Sequence, residues 1–351
     1  MRDAVLARVA RLEPAAQRAL EVVALAGARA ETGLLSDLLD QGLSAIDEPL
    51  RRGLLRQVEG ELMFRHEPGR LAVVDEIPAG RGIELRRRLL AALRARRADS
   101  ARLAHHAGAA GDADAVLAHA PDSAARAAEL GAHQEAVRQY LRTLRYADRL
   151  PEDAKAEILW SLGYECYLMV RIDQALEFTR QALEIWETAG LDVRVGDAWR
   201  CRSRLSWLAG RNQEAEQQGA VAVDLLQGSG SVELAMAYSN LTQLRMLASD
   251  TAGTRVWDGR TLDLLERLPP SRRRDLVRVH ALNNLGTMEI TSGDFAAGER
   301  MLVESLDGAR GAELHEHAAR AFGERGSTVA AGQSQGPVEG AVQVPPVQEG
   351  V

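Results

Sequence analysis

The sequence predicts an almost entirely helical chain, most of it an α-solenoid of stacked helix pairs. Three observations carry this. Of 351 residues, 46% are hydrophobic but only 4% aromatic, with 11 Pro. Ala, Leu, Arg and Glu dominate, which favours helix over the β-branched and aromatic enrichment of a sheet. One pattern recurs five times at a period of about 40 residues, the mark of a repeat architecture. Within it, large apolar residues stand three and four apart, which places them on one helix face.

The recurring pattern is a turn of small residues, then a helix that opens on a small side chain. It is read in LGAHQEAVRQYLRTL, MVRIDQALEFTRQAL, LAGRNQEAEQQGAVA, LASDTAGTRVWDGRT and TSGDFAAGERMLVES. The aligned small positions are Ala136, Ala175, Ala215, Thr254 and Gly298, spaced 39, 40, 39 and 44. The segments ahead of them repeat as well. Leu159, Leu162 and Gly163 precede Ala175, and Trp199 precedes Ala215. Tyr238 and Leu241 precede Thr254, and Leu282, Leu285 and Gly286 precede Gly298. Each repeat therefore holds a helix A with large apolar residues and a helix B whose small residues let it approach. One such pair cannot bury its apolar face alone, so neighbours stack.

These residues resemble the tetratricopeptide repeat, in which a large residue, Leu-Gly, an aromatic and an Ala–aromatic–Ala series recur. LWSLGYECYLMVRIDQALEFTRQAL is the best copy, with Leu162, Gly163, Ala175 and Ala182 in register. Cys166 and Thr179 depart from the two aromatic positions. The period is longer than the usual repeat and resembles the elongated variety found in large regulators.

Residues 1–97 lack this period. RDAVLARVARL and EPAAQRALEVVALAG read as two helices, the second with Pro14 at its start, where a missing N–H costs nothing. Helical runs are expected at Thr32–Asp40 and Ile46–Val58. GELMFRHE alternates between Gly60 and a Pro68-Gly69 turn, as one arm of a hairpin wing. Helices follow at Leu71–Glu76 and Leu85–Arg96. The expected architecture is an all-α, tetratricopeptide-like solenoid at 98–321, preceded by a small winged-helix-like domain at 1–97. Residues 322–351, with their Gly and Pro, are expected to be a disordered tail, with the chain stopping inside a repeat and its edge either frayed or covered by self-association.

The opening DAVLARVARLEPAAQRALEVVALAG, the block LMFRHEPGRLAVVDEIP and the run RRRLLAALRAR ahead of ARLAHHAGAAGDADAV resemble bacterial ATPase regulators of the LuxR and MalT type. That family's order is a P-loop ATPase, a winged helix, helical repeats and a C-terminal helix-turn-helix. The resemblance covers roughly residues 1–321 and implies the middle of such a regulator. The chain has no GxxxxGK[ST] to cradle phosphates, and its single lysine is Lys155, in PEDAKAE. It shows no DNA-reading helix-turn-helix either.

The composition narrows the function classes. A net charge of −7 gives no strongly basic footprint for nucleic acid. Cys166 and Cys201 form neither a disulfide framework nor a metal site. His105 and His106 are adjacent and point apart on a helix, and His315 and His317 form HEH rather than HExxH. No GxSxG elbow occurs. A cytoplasmic protein without enzymatic activity, cofactor, metal, membrane span or direct DNA contact is expected, acting on a protein or peptide partner or a small effector. The main functional expectation is a regulatory segment of the LuxR type, the alternative a free-standing repeat adaptor.

Four residues are candidates for sites. The resemblance implies that His66, in FRHE, meets nucleotide phosphates, though only beside an ATPase core. Asn240 and Asn284 hold equivalent places two residues after Tyr238 and Leu282. An amide there can bond a peptide backbone in both directions, or bond helix to helix. Trp257 is expected to add apolar contact in the same groove.

Overall fold

The computed structural model describes residues 2–311. They fall into two compact units that divide after Arg171, within the repeats.

The first unit opens with α1 (Arg2–Val9), α2 (Pro14–Ala26), β1 (Ala30–Glu31) and α3 (Thr32–Leu38). A 3-10 turn (Gly42–Ile46), α4 (Asp47–Arg51), β2 (Leu55–Val58) and β3 (Glu61–Phe64) follow, then α5 (Glu67–Glu76) and α6 (Ala79–Ala95). The strands form an antiparallel sheet in the order β1-β3-β2, with Leu55 opposite Phe64 and Ala30 opposite Leu62. Glu59 and Gly60 link β2 to β3 with φ of 52° and 82°, the two positive values that a tight hairpin turn requires. Leu20, Leu34, Leu35, Ile46, Leu55, Leu62, Leu89, Leu90 and Leu93 are fully buried at the centre. Between α2 and α5 the order is a strand, three short helical segments and a hairpin.

Two local expectations are corrected. Residues 55–58 are a strand, not the end of a helix from Ile46. Ile46, Leu50, Leu54 and Val58 are spaced by four and mimic a helix face, but Gly53 at φ 63° breaks the chain between them. Pro68 and Gly69 do not make a turn; they lie in the first turn of α5, where proline is tolerated.

The repeats begin with α7 (Ser100–Ala110), α8 (Ala113–Glu129), α9 (His133–Leu144) and α10 (Glu152–Leu168) in the first unit. The second unit holds α11 (Ile172–Ala189), α12 (Asp192–Leu208), α13 (Asn212–Leu226) and α14 (Val232–Leu247). It continues with α15 (Thr251–Arg267), α16 (Arg272–Thr291) and α17 (Phe295–Gly311). Helices α8, α10, α12, α14 and α16 take the A position, and α9, α11, α13, α15 and α17 the B position. Every B helix starts three residues before its small position, and Ala136, Ala175, Ala215, Thr254 and Gly298 are all buried.

One cap ends each of these A helices. Gly131, Val170, Gly210, Ser249 and Gly293 adopt positive φ two residues before helix B. The next N–H then reaches back to the A-helix carbonyl five residues earlier, as in Arg211 N–H to Ser206 O at 2.8 Å and Asp294 N–H to Glu289 O at 2.9 Å. This is the left-handed cap that glycine favours. The recurring turn in the sequence is this cap.

In the second unit the A helices form a continuous layer, α12 on α14 and α14 on α16, while α13 and α15 each pack against the A helices on either side. The architecture is thus an all-α solenoid of tetratricopeptide-like pairs. The tail expected from residue 322, and His315 and His317, lie outside the described residues.

Candidate ligand groove in the second unit

Positions two, five and nine of a repeat, with its small residue taken as position twenty, lie on one stripe of helix A, since i, i+3 and i+7 share a face. Counted in repeat register, α12 supplies Asp197, Arg200 and Arg204, α14 supplies Met236, Ser239 and Gln243, and α16 supplies His280, Asn283 and Thr287. Bonds across the layer show that these stripes face a common side. Arg204 Nη1 donates to Gln243 Oε1 at 3.3 Å and meets His280 Nε2 at 3.4 Å, two A helices away. Ser239 Oγ and His280 Nδ1 are 2.7 Å apart. Arginine offers only donors, so His280 Nε2 is the acceptor in that pair, while Nδ1 lies between Ser239 Oγ and, at 3.4 Å, Asn284 Nδ2. Arg200 pairs with Asp197 at 2.6 Å on its own helix.

Asn240 and Asn284 lie just behind the stripe, and both are buried. Asn240 Nδ2 donates to Ser203 Oγ at 2.9 Å, and Ser203 Oγ donates to Ala215 O at 2.7 Å, so one chain of bonds joins α14, α12 and α13. Asn284 Nδ2 donates to Ser239 O at 3.0 Å, tying α16 to α14. Both asparagines are thus engaged in bonds between helices. A buried amide so engaged fixes the spacing of its helices, because its loss strands a partner. Asn283 differs: it is 2% exposed, and neither amide atom has a hydrogen-bond partner.

Trp257 stands apart from the stripe, on α15. Its ring centroid is 5.6 Å from that of Tyr238, and the Arg260 guanidinium sits 4.5 Å over it. His66 is in the first unit, exposed at the N-terminal end of α5. The structure therefore groups Asn240 and Asn284 with one layer and leaves Trp257 and His66 elsewhere. Arg204, Ser239, Gln243, His280 and Asn283 were not singled out by sequence. Counting two, five and nine from the start of each repeat would have reached them.

Among the described residues, the other titratable groups with shifted pKa lie scattered. Burial pushes the Cys166 and Cys201 thiols up, away from the thiolate. His106 is buried and pushed down to about 4, by burial first and by neighbouring His105 second. Asp258, 2% exposed on α15, is pushed up to about 7 by burial, and its Oδ1 has no hydrogen-bond partner. Among the described residues no group of three or more His, Cys, Asp or Glu is placed to hold a metal, and no helix is long and apolar enough to cross a membrane.

No family model matches the chain, and no curated protein matches it. Solved structures do. Aspartyl phosphate phosphatase F from Bacillus subtilis is 10% identical with a TM-score of 0.53, over 76% of this chain and 68% of that one. The Rap conjugation gene regulator of the plasmid pLS20, in complex with the Phr peptide, is 12% identical with a TM-score of 0.51, over 66% and 65%. The apo form of RapI is 14% identical with a TM-score of 0.50, over 62% and 79%. At such identities the likeness is one of fold.

Proposed function

We propose that this chain is a non-catalytic interaction module whose second unit binds a protein segment or peptide along the inner stripe of α12, α14 and α16. The observation that carries the reading is the pair of contacts that Arg204 makes across the layer, to Gln243 on α14 and to His280 on α16. Three consecutive A helices present polar groups to one surface, held in place by amides behind them. A repeat solenoid recognises partners in this way, with a rigid layer and a row of side chains across it. A solved structure of the same fold contains a Phr peptide, which supports peptide as the ligand type.

The experiment is an anisotropy titration of the full-length chain with labelled random hexapeptides, repeated with Thr287→Trp. Thr287 is half-buried at the end of the stripe, and indole there should fill the groove. Binding by the wild type, lost in the variant at unchanged helicity, is expected. Equal binding by both would contradict the assignment.

A second reading rests on the first unit. Its helix–strand–helix order and wing precede the repeats, as in LuxR-type regulators, and support a regulatory segment of that kind. An ATPase partner that binds the first unit and places nucleotide against His66 would be expected. A His66→Ala variant would then weaken nucleotide retention by the assembled complex, and unchanged retention would count against this reading.

A further inference from the structure

We propose that the groove of the second unit takes an extended peptide segment rich in Asp and Glu. This rests on the groove reading above and names the partner's chemistry.

The charge of the second unit is sorted by layer. The A helices α12, α14 and α16 carry nine Arg and five Asp or Glu. The B helices α11, α13, α15 and α17 carry six Arg and thirteen Asp or Glu. The inner layer is thus cationic in a unit that is acidic as a whole. Three of its five carboxylates (Asp197, Glu233 and Glu289) and four of its nine arginines (Arg200, Arg245, Arg273 and Arg278) are engaged in ion pairs, which leaves the surplus of charge on this layer positive. The outer layer repels an anionic segment and the inner layer attracts it, so the field steers such a ligand to the stripe. Arg204 is central there, bonded to side chains of both α14 and α16. Guanidinium is the side chain best suited to a carboxylate, which it can meet with two N–H groups at once.

Geometry sets the ligand's form. Packed helices lie about 8–10 Å apart, so three A helices span roughly 20 Å. An extended chain rises about 3.3 Å per residue, so about six residues cross the stripe. The unpartnered amide of Asn283 lies at the far side of that span, and an amide can both donate to and accept from a peptide backbone.

The test uses the full-length chain and three labelled hexapeptide pools that differ only in charge: Asp and Glu, Ser and Gln, or Lys and Arg at alternate positions. The acidic pool should bind at least tenfold more tightly than the neutral one in dilute buffer, and the gap should shrink as salt is raised. Gln243→Glu sets a carboxylate in place of the amide that Arg204 donates to. It should narrow the acidic-over-neutral preference about tenfold, whatever it does to binding of the neutral pool. Arg204→Gln should do the same, and the Glu variant guards against mere loss of packing. Equal binding of acidic and neutral pools would overturn this inference while leaving the groove intact. Binding of none would remove the groove reading and the inference together. Competition by duplex DNA at the same charge concentration as the peptide would also overturn it, since the surface would then be a general polyanion site.

Discussion

At the residue scale, two side chains sit in unfavourable places, and each gives a measurable effect. Val170 holds φ 58° at the cap where three of the other four repeats use glycine, and it is 80% exposed. A β-branched residue in the left-handed region is an outlier. Val170→Gly relieves about 1–2 kcal/mol of steric cost against about 0.5–1 of added chain entropy. Denaturant unfolding should therefore show a net gain, and Val170→Ala should not reproduce it. Asp258 is the second. Its folded carboxyl keeps its proton up to about pH 7, while the unfolded group releases it near 3.8. Its destabilisation is thus absent below about pH 4, grows as pH rises to about 7 and is complete above that. Asp258→Asn should stabilise the chain at pH 8 by about 2–4 kcal/mol and have little effect at pH 4. An equal gain at both pH values would contradict the assigned cause.

At the scale of elements, the helix pairs depend on how closely A and B approach. A Cβ on Gly298 would meet Ile290 Cγ1 and lie 2.6 Å from Gly286 O. Gly298→Ala should cost about 1–3 kcal/mol by overpacking α16 against α17, and thermal unfolding reads this. A neutral result would mean that the two helices can slide apart. Elements were legible in sequence where one residue type recurs for one physical reason. Ala136, Ala175 and Ala215 marked helix B because only small side chains fit there. The wing was half legible: β1 has two residues, too few for a pattern, and β2 was hidden behind a false four-residue spacing. The stripe's positions follow from repeat register, but which of its residues meet was not legible. Whether Arg204 and His280 meet depends on which faces of α12 and α16 turn inward, and only stacking decides that. Asn240 and Asn284 were found by register, yet register does not tell an amide that faces a ligand from one that ties helices.

At the scale of the molecule, the chain divides into two units, and the functional claim concerns one. The second unit combines a rigid inner layer, charge sorted between its layers and a stripe fixed by bonds between helices. These properties suit holding a segment of another chain without changing it chemically. The most direct test is photo-crosslinking of the full-length chain by an acidic hexapeptide carrying benzoylphenylalanine, with the adducts mapped by mass spectrometry. Adducts are expected on α12, α14 and α16, lost when unlabelled peptide competes. Competable adducts confined to α11, α13, α15 and α17, or to residues before Ile172, would contradict it.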